Sequence, residues 1–134
     1  MRALLDTDVL LDVALKREPF FKTSAEVLRW AESEPGQCSL AWHSLSNISY
    51  IVKPSAREFL EHLLNFMEIA TVGTREARQA LGFRMPDLED AFQAASALAF
   101  DAYFIVTRNI VHYRKSPIPA ITPQKFLQEV GREM

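Results

Sequence analysis

Three aspartates crowd the start of the chain, in Ala3-Leu4-Leu5-Asp6-Thr7-Asp8-Val9-Leu10-Leu11-Asp12, and the first of them closes an apolar run. A buried strand gains nothing by ending on two acids one residue apart, because a carboxylate withdrawn from water without a partner is costly. Such a placement asks for a cation or a helix terminus. Asp87 and Asp90 are three apart, so on a helix they share a face and point toward its start. Asn109 follows a second apolar run, Ile105-Val106-Thr107-Arg108-Asn109. Carboxylate and carboxamide oxygens suit a hard cation such as magnesium or manganese, which keeps several waters for chemistry. His43, His62 and His112 match no zinc spacing and read as structural or surface residues, with His112 of interest only for its closeness to Asn109.

Each of these residues also has a plain structural reading. Asp8 can cap a helix beginning at Val9, and Asp87 can cap one in which Asp90 sits at the positive end. Asp12 reads as solvated or paired with Lys16, its i+4 neighbour. Trp30 and Trp42 read as core or edge packing. Capping leaves Asp6 unexplained, since it falls at the last residue of a buried strand. Lys16, Arg17 and Lys22, with Arg108, Arg114 and Lys115, flank the acids; singly they are surface charges, and as a set they could hold phosphates.

Four segments have strand character and would position these groups: Arg2 to Leu5, Gln37 to Ala41, Met67 to Val72 and Tyr103 to Thr107. Helical patterns lie between them. Pro19 opens one that stops at Pro35-Gly36, Ser44 caps another, and Pro54 starts a third. Thr74 caps Arg75 to Leu81, Asp87 caps the stretch to Phe100, and Pro123 leads a terminal helix through Phe126, Leu127 and Val130. Strands alternating with helices predict a mainly parallel sheet covered on both faces. In such a sheet ligands collect at the carboxyl ends of the strands where the strand order reverses, and Asp6 and Asn109 follow two such ends.

A chain of 134 residues, 49% hydrophobic and 24% charged, fits one domain over residues 1–134 with a core of useful size. Its 15 Lys and Arg against 17 Asp and Glu create no positive field, so any nucleic-acid contact must come from a local patch. The single cysteine, Cys38, lies in an apolar stretch and excludes an internal disulfide, which fits a reducing, cytoplasmic setting. Asp6, Asp8 and Asp12 interrupt the first apolar segment, which argues against a signal peptide. No apolar run approaches the roughly 20 residues of a membrane span, so no membrane association is expected.

Taken together, Leu4-Leu5-Asp6-Thr7-Asp8-Val9-Leu10-Leu11-Asp12, Asp87-Leu88-Glu89-Asp90-Ala91-Phe92-Gln93-Ala94-Ala95, Ile105-Val106-Thr107-Arg108-Asn109 and the ending Ile118-Pro119-Ala120-Ile121-Thr122-Pro123 to Phe126-Leu127 resemble the PIN-domain family of metal-dependent ribonucleases. The likeness is closest to its small single-domain members, which include VapC-type toxins, and it spans essentially the whole chain. It implies a three-layer α/β/α sandwich and one or two magnesium or manganese ions bound by acids for hydrolysis of RNA. The family's first acid matches Asp6 and its third matches Asp90, with Asp87 one turn earlier. The second, usually glutamate, matches Asn47, and the fourth, often aspartate, matches Asn109. An amide at the place of Asn47 is common in the subgroup and compatible with activity.

On this resemblance Asp6, Asp90 and Asp87 are the expected metal ligands, with Asp8 in support. Asn47 and Asn109 would orient water or phosphate, Thr107 would hydrogen-bond a carboxylate, and Arg108 could meet the RNA backbone. Each carboxylate exchanged for an amide keeps an oxygen but loses a negative charge, so weaker divalent binding is expected. A small antitoxin protein and a homodimer are the implied partners. Two other functions compete. Asp6-Thr7-Asp8-Val9 also matches the opening of haloacid-dehalogenase-like phosphatases, but Thr107-Arg108-Asn109 stands where that family needs an acidic pair, and the length leaves no cap domain. With two acids lost, the chain could instead be a PIN-like module that binds RNA or a protein without cleaving.

Overall fold

The computed structural model describes residues 1–133. Four parallel strands, β1 (Ala3–Leu5), β2 (Cys38–Ser39), β3 (Phe104–Val106) and β4 (Ala120–Ile121), form one sheet in the order β2-β1-β3-β4. Around them lie α1 (Thr7–Ala14), α2 (Phe21–Ser33), α3 (Trp42–Ile51), α4 (Ala56–Leu63), α5 (Thr74–Gly82), α6 (Leu88–Ala99) and α7 (Pro123–Glu133), with a 3-10 turn at Ile110–Tyr113. This is the expected three-layer α/β/α arrangement.

Strand alternation divides the core into two. Ala3 and Leu5 of β1, Val106 of β3 and Cys38 of β2 join buried residues of α1, α2, α3, α4 and α7, whereas Leu4 and Ile105 turn to the other face and meet the small residues Ala91, Ala94, Ala95 and Ala97 of α6. Alanines keep α6 helical while letting it approach α5 and the sheet closely. The first core is closed by α7, where Phe126 is fully buried and meets the Trp30 ring of α2 edge-on at 5.3 Å.

Several expected boundaries move. Met67 to Val72 contributes only a bridge, Glu68 to Ser39, at the edge beyond β2. Backbone bonds tie residues 66 and 68 to 36, 38 and 40, after which the chain leaves the sheet for α5. β4 was not foreseen: two residues between Pro119 and Pro123 are too few to show a period. α1 begins at Thr7, with Asp6 as the N-cap residue, so Asp8 lies in the first turn and is not a cap. Likewise α3 begins at Trp42, and Ser44 is buried inside its first turn. Gly73 takes the N-cap place expected of Thr74, its N–H donating to Glu76 Oε1 at 2.8 Å. Asp87 does cap α6, accepting from the N–H groups of Glu89 and Asp90 at 2.8 and 3.2 Å. Trp42 is 66% exposed and packs in no core.

Replacing Phe126 by alanine removes the plug between α2 and α7. A loss of about 3–5 kcal/mol is expected in urea unfolding; a loss below about 1 kcal/mol would mean that α7 does not close the core.

Candidate functional site

Because β2 and β3 lie on opposite sides of β1, the strand order reverses at the β1–β3 pair, and the crevice beyond their carboxyl ends is where open α/β sheets bind ligands. Leu5 pairs with Val106, and the Asp6 N–H donates to the Val106 carbonyl at 3.0 Å, so Asp6 and Thr107 leave the sheet side by side. Asp6 is 5% exposed; its Oδ2 accepts from Thr107 Oγ1 at 2.9 Å and from the Tyr113 hydroxyl at 3.0 Å. Asp8, from the first turn of α1, accepts through Oδ2 from Asn109 Nδ2 at 3.1 Å, and from Thr107 Oγ1 and the Arg108 N–H at 3.3 Å each. The Thr107-Arg108-Asn109 turn is thereby fastened to both acids.

Asp12 overturns its surface reading. It is fully buried, and its partner is not Lys16 but Arg108, whose Nε and Nη2 donate to the two carboxylate oxygens at 2.8 and 3.2 Å. Ser24 Oγ adds a bond at 3.3 Å, and the guanidinium stacks 3.9 Å over the Phe20 ring. Arg108, expected to meet substrate, is thus engaged inside the protein.

The start of α6 brings Asp87, Glu89 and Asp90 together, with one ligand atom from each lying within 4.8 Å of the others. Asp90 is 7% exposed, and His112 Nδ1 stands 3.4 Å from its Oδ2. Glu89 accepts from His43 Nε2 of α3 at 2.7 Å and from Gln93 Nε2 at 2.8 Å. The fully buried Gln93 amide also reaches Thr7 Oγ1 and Ser44 Oγ, at 2.9 and 3.1 Å, and ties α1, α3 and α6 beneath the site. Asn47 is half-buried on α3, and no hydrogen bond to its side chain occurs among the described residues.

Proximity and burial set the charges. Burial raises the Asp6 carboxyl against the opposing bonds from Thr107 and Tyr113, with the Glu89 charge adding to the rise. Burial and then the Asp6 charge push Asp8 up to about 7, opposed by Arg108. Burial, then the charges of Asp87, Glu89 and Asp6, push Asp90 up to about 6. Burial would also raise Glu89, but the bonds from His43 and Gln93 and the His43 charge bring it below the ordinary carboxylate value. Burial and the neighbouring Asp6 and Asp90 charges keep the Tyr113 phenol protonated, as its bond to Asp6 requires.

The residues present fit a divalent cation. The donors are hard oxygens, and two buried carboxylate oxygens, Asp8 Oδ1 and Asp90 Oδ2, have no hydrogen-bond partner among the described residues. Of the residues read from sequence, Asp6, Thr107 and Asn109 converge at the β1–β3 ends and Asp87 with Asp90 at the start of α6; the Asp6 charge reaches Asp90, and both charges reach Tyr113. Glu89 and Tyr113 were missed. Glu89 lay unremarked inside the quoted Asp87-to-Asp90 motif, whereas nothing in Val111-His112-Tyr113 marks a phenol that returns to Asp6.

The sequence profile of the PIN domain matches residues 2–111. The chain belongs to the PIN-domain family. Members of this family are in general divalent-metal-dependent nucleases, in keeping with the oxygen-rich site. The fold is similar to that of VapBC2 from Rickettsia felis, solved bound to a DNA fragment from its promoter, with a TM-score of 0.69 and 17% identity over 91% of this chain and 98% of that one. It is also similar to a toxin-antitoxin complex from Klebsiella pneumoniae, with a TM-score of 0.69 and 22% identity over 90% and 97% of the two chains. No curated protein sequence matches the chain. Among the described residues, no helix is long and apolar enough to cross a membrane.

Two outcomes follow for this PIN domain. Asp12→Ala strands Arg108, and a loss of about 2–4 kcal/mol is expected in urea unfolding, less than for a fully buried pair because Arg108 keeps some exposure; an unchanged midpoint would mean that the pair is slack. In chelator-treated protein, folding favours the protonated form of Asp8. As pH climbs from the ordinary 3.8 toward about 7, the unfolded chain therefore ionises first and stability falls, with the loss complete above about 7. Melting temperature should decline across that window and decline less in Asp8→Asn; equal slopes for the two proteins would refute the assignment.

Proposed function

We propose that this PIN domain, residues 1–134 acting as one unit, is a magnesium- or manganese-dependent endoribonuclease of the cytoplasm and the toxin of a toxin–antitoxin pair. The observation that carries this reading is the acidic crevice at the sheet's switch point, where Asp6 leaves β1 buried and the start of α6 brings Asp87, Glu89 and Asp90 within 4.8 Å of one another, near enough for the Asp6 charge to raise Asp90. The fold shared with two toxin–antitoxin structures supports a small antitoxin protein as partner. A homodimer is part of the proposal.

Asp6 and Asp90 would hold the ion, with Asp87 and Asp8 beside them. A bound divalent ion supplies charge against the scissile phosphate and acidity to an attacking water. Thr107 and Tyr113 fix the Asp6 carboxylate through Oδ2. Asn109, anchored on Asp8, and Asn47 orient water or phosphate. Glu89 offsets the charge lost at the two amides, and His43 with Gln93 keeps it ionised and aimed.

The test is cleavage of a structured RNA with manganese, with and without chelator. Asp6→Asn and Asp90→Asn should each lower the rate by more than about a hundredfold, beyond the ten- to hundredfold typical of residues that only support a ligand. Glu89→Gln should weaken manganese binding by about tenfold in calorimetry. The amides at 47 and 109 favour a second reading, a binding module without activity. RNA bound but never cut, with no manganese bound at millimolar concentration, would establish it.

A further inference from the structure

The cations around the acids are not equivalent. Arg108 is held by Asp12 and Phe20 and cannot reach a ligand without breaking a buried pair. On the other side a cleft of about 560 Å³ opens between the start of α6 and the 3-10 turn, with Asp87 and Asp90 on one wall and Val111, His112, Arg114 and Lys115 on the other. Arg114 and Lys115 are exposed, and neither enters an ion pair among the described residues.

Their backbone is fixed at both ends. Tyr113, just before them, is buried and bonds Asp6 Oδ2 at 3.0 Å. Ser116, just after, bonds the Tyr113 carbonyl through its N–H at 3.0 Å and the Ile118 carbonyl through its hydroxyl at 2.6 Å. The backbone that carries the two cations is therefore held against the wall of the cleft opposite Asp87 and Asp90. A site with Asp6, Asp8, Asp87, Glu89 and Asp90 repels a polyanion, and a chain of net charge −2 provides no long-range steering, so a phosphate can be held here only by local cations.

We propose that Arg114 and Lys115 form a phosphate handle that seats a single-stranded polynucleotide in this cleft, on the phosphate next to the one presented to the acids. The inference rests on the nuclease reading for its direction. The cleft lies within the about 300–1,000 Å³ of a small-ligand pocket, room for a phosphate with the nucleotide that carries it. The contact is to phosphate, so RNA and DNA of equal length share it.

The experiment uses the full chain carrying Asp6→Asn, so that the probe stays intact, with labelled single-stranded RNA and DNA of one sequence followed by fluorescence anisotropy. Arg114→Ala with Lys115→Ala should weaken both probes by about tenfold. It should also flatten the slope of log Kd against log salt by about 1.4, from about 0.7 for each phosphate contact. An unchanged melting temperature confirms that the variant is folded. Unaltered affinity and slope, a loss confined to one sugar, or an equal loss from Lys53→Ala with Arg57→Ala, at the α3–α4 turn outside the cleft, would each overturn the handle. Without Asp6→Asn the two readings separate. Manganese-dependent cleavage with unchanged KM in the Arg114→Ala, Lys115→Ala chain removes the handle and leaves the nuclease. Binding lost in that variant, when the unaltered chain binds but cuts nothing, keeps the handle and removes the nuclease.

Discussion

The parallel pairing of β1 with β3 is the constraint from which the rest of the site follows. Asp6 and Thr107 are 101 residues apart, and no local interaction can join them. They meet because Leu4 and Ile105, both fully buried, are register partners in the middle of the sheet. Once that register is set, the residues after each strand must share the crevice at the switch point. The Thr107 hydroxyl lands on Asp6, and the Arg108 and Asn109 groups that follow land on α1. A slip of one residue would send Leu4 and Ile105 to the wrong face and Thr107 away from the acid. Core packing and site geometry are therefore one constraint.

Drawing acids together sets their charges against one another, and the donors given to each distinguish structural acids from available ones. Asp12 has both oxygens occupied by Arg108 and a further bond from Ser24, which is the pattern of a closed structural pair. Glu89 receives two donors and stays ionised. Asp8 and Asp90 are different: Asp8 retains a buried oxygen without a partner, the corresponding Asp90 oxygen has only His112 Nδ1 at 3.4 Å, and each acid is raised toward neutrality. An acid with a missing donor in a polar crevice is suited to a ligand that brings positive charge. The network of Thr7, Ser44 and Gln93 lies beneath this region and joins α1, α3 and α6, so the three elements cannot move apart independently.

What the sequence made legible is what depends on period and punctuation. Asp6 stood out because a carboxylate ended a buried run, and Asp87 because it opened an alanine-rich helical pattern; Asp87 does cap α6, whereas Asp6 lies one residue past β1 as the N-cap residue of α1, its side chain turned to Thr107 and Tyr113 instead of the helix. Asp12 misled because i+4 spacing to Lys16 is a local cue, whereas its partner Arg108 lies 96 residues away and is brought near only by the sheet. Ser44 resembled a cap for the same reason, although α3 starts two residues earlier and turns the hydroxyl inward to Thr7 at 2.7 Å. Tyr113 and the β4 pairing were invisible because each depends on tertiary contact within a segment too short to carry a pattern.

The two amides look different once their neighbours are known. Asn109 donates to Asp8 Oδ2 at 3.1 Å, a bond an aspartate there could not make, because an ionised carboxylate only accepts. An acid at 109 would also add like charge beside Asp8, which burial and Asp6 already push up to about 7. The amide is thus matched to Asp8, and the negative charge near this turn resides on α1. On the opposite side His43 and Glu89 make one of the contacts between α3 and α6, with the acid on α6 and the imidazole on α3. The carboxylates are redistributed over the same crevice, where burial raises Asp6, Asp8 and Asp90 alike. A divalent ion bound as proposed would have to compete with protons for these groups.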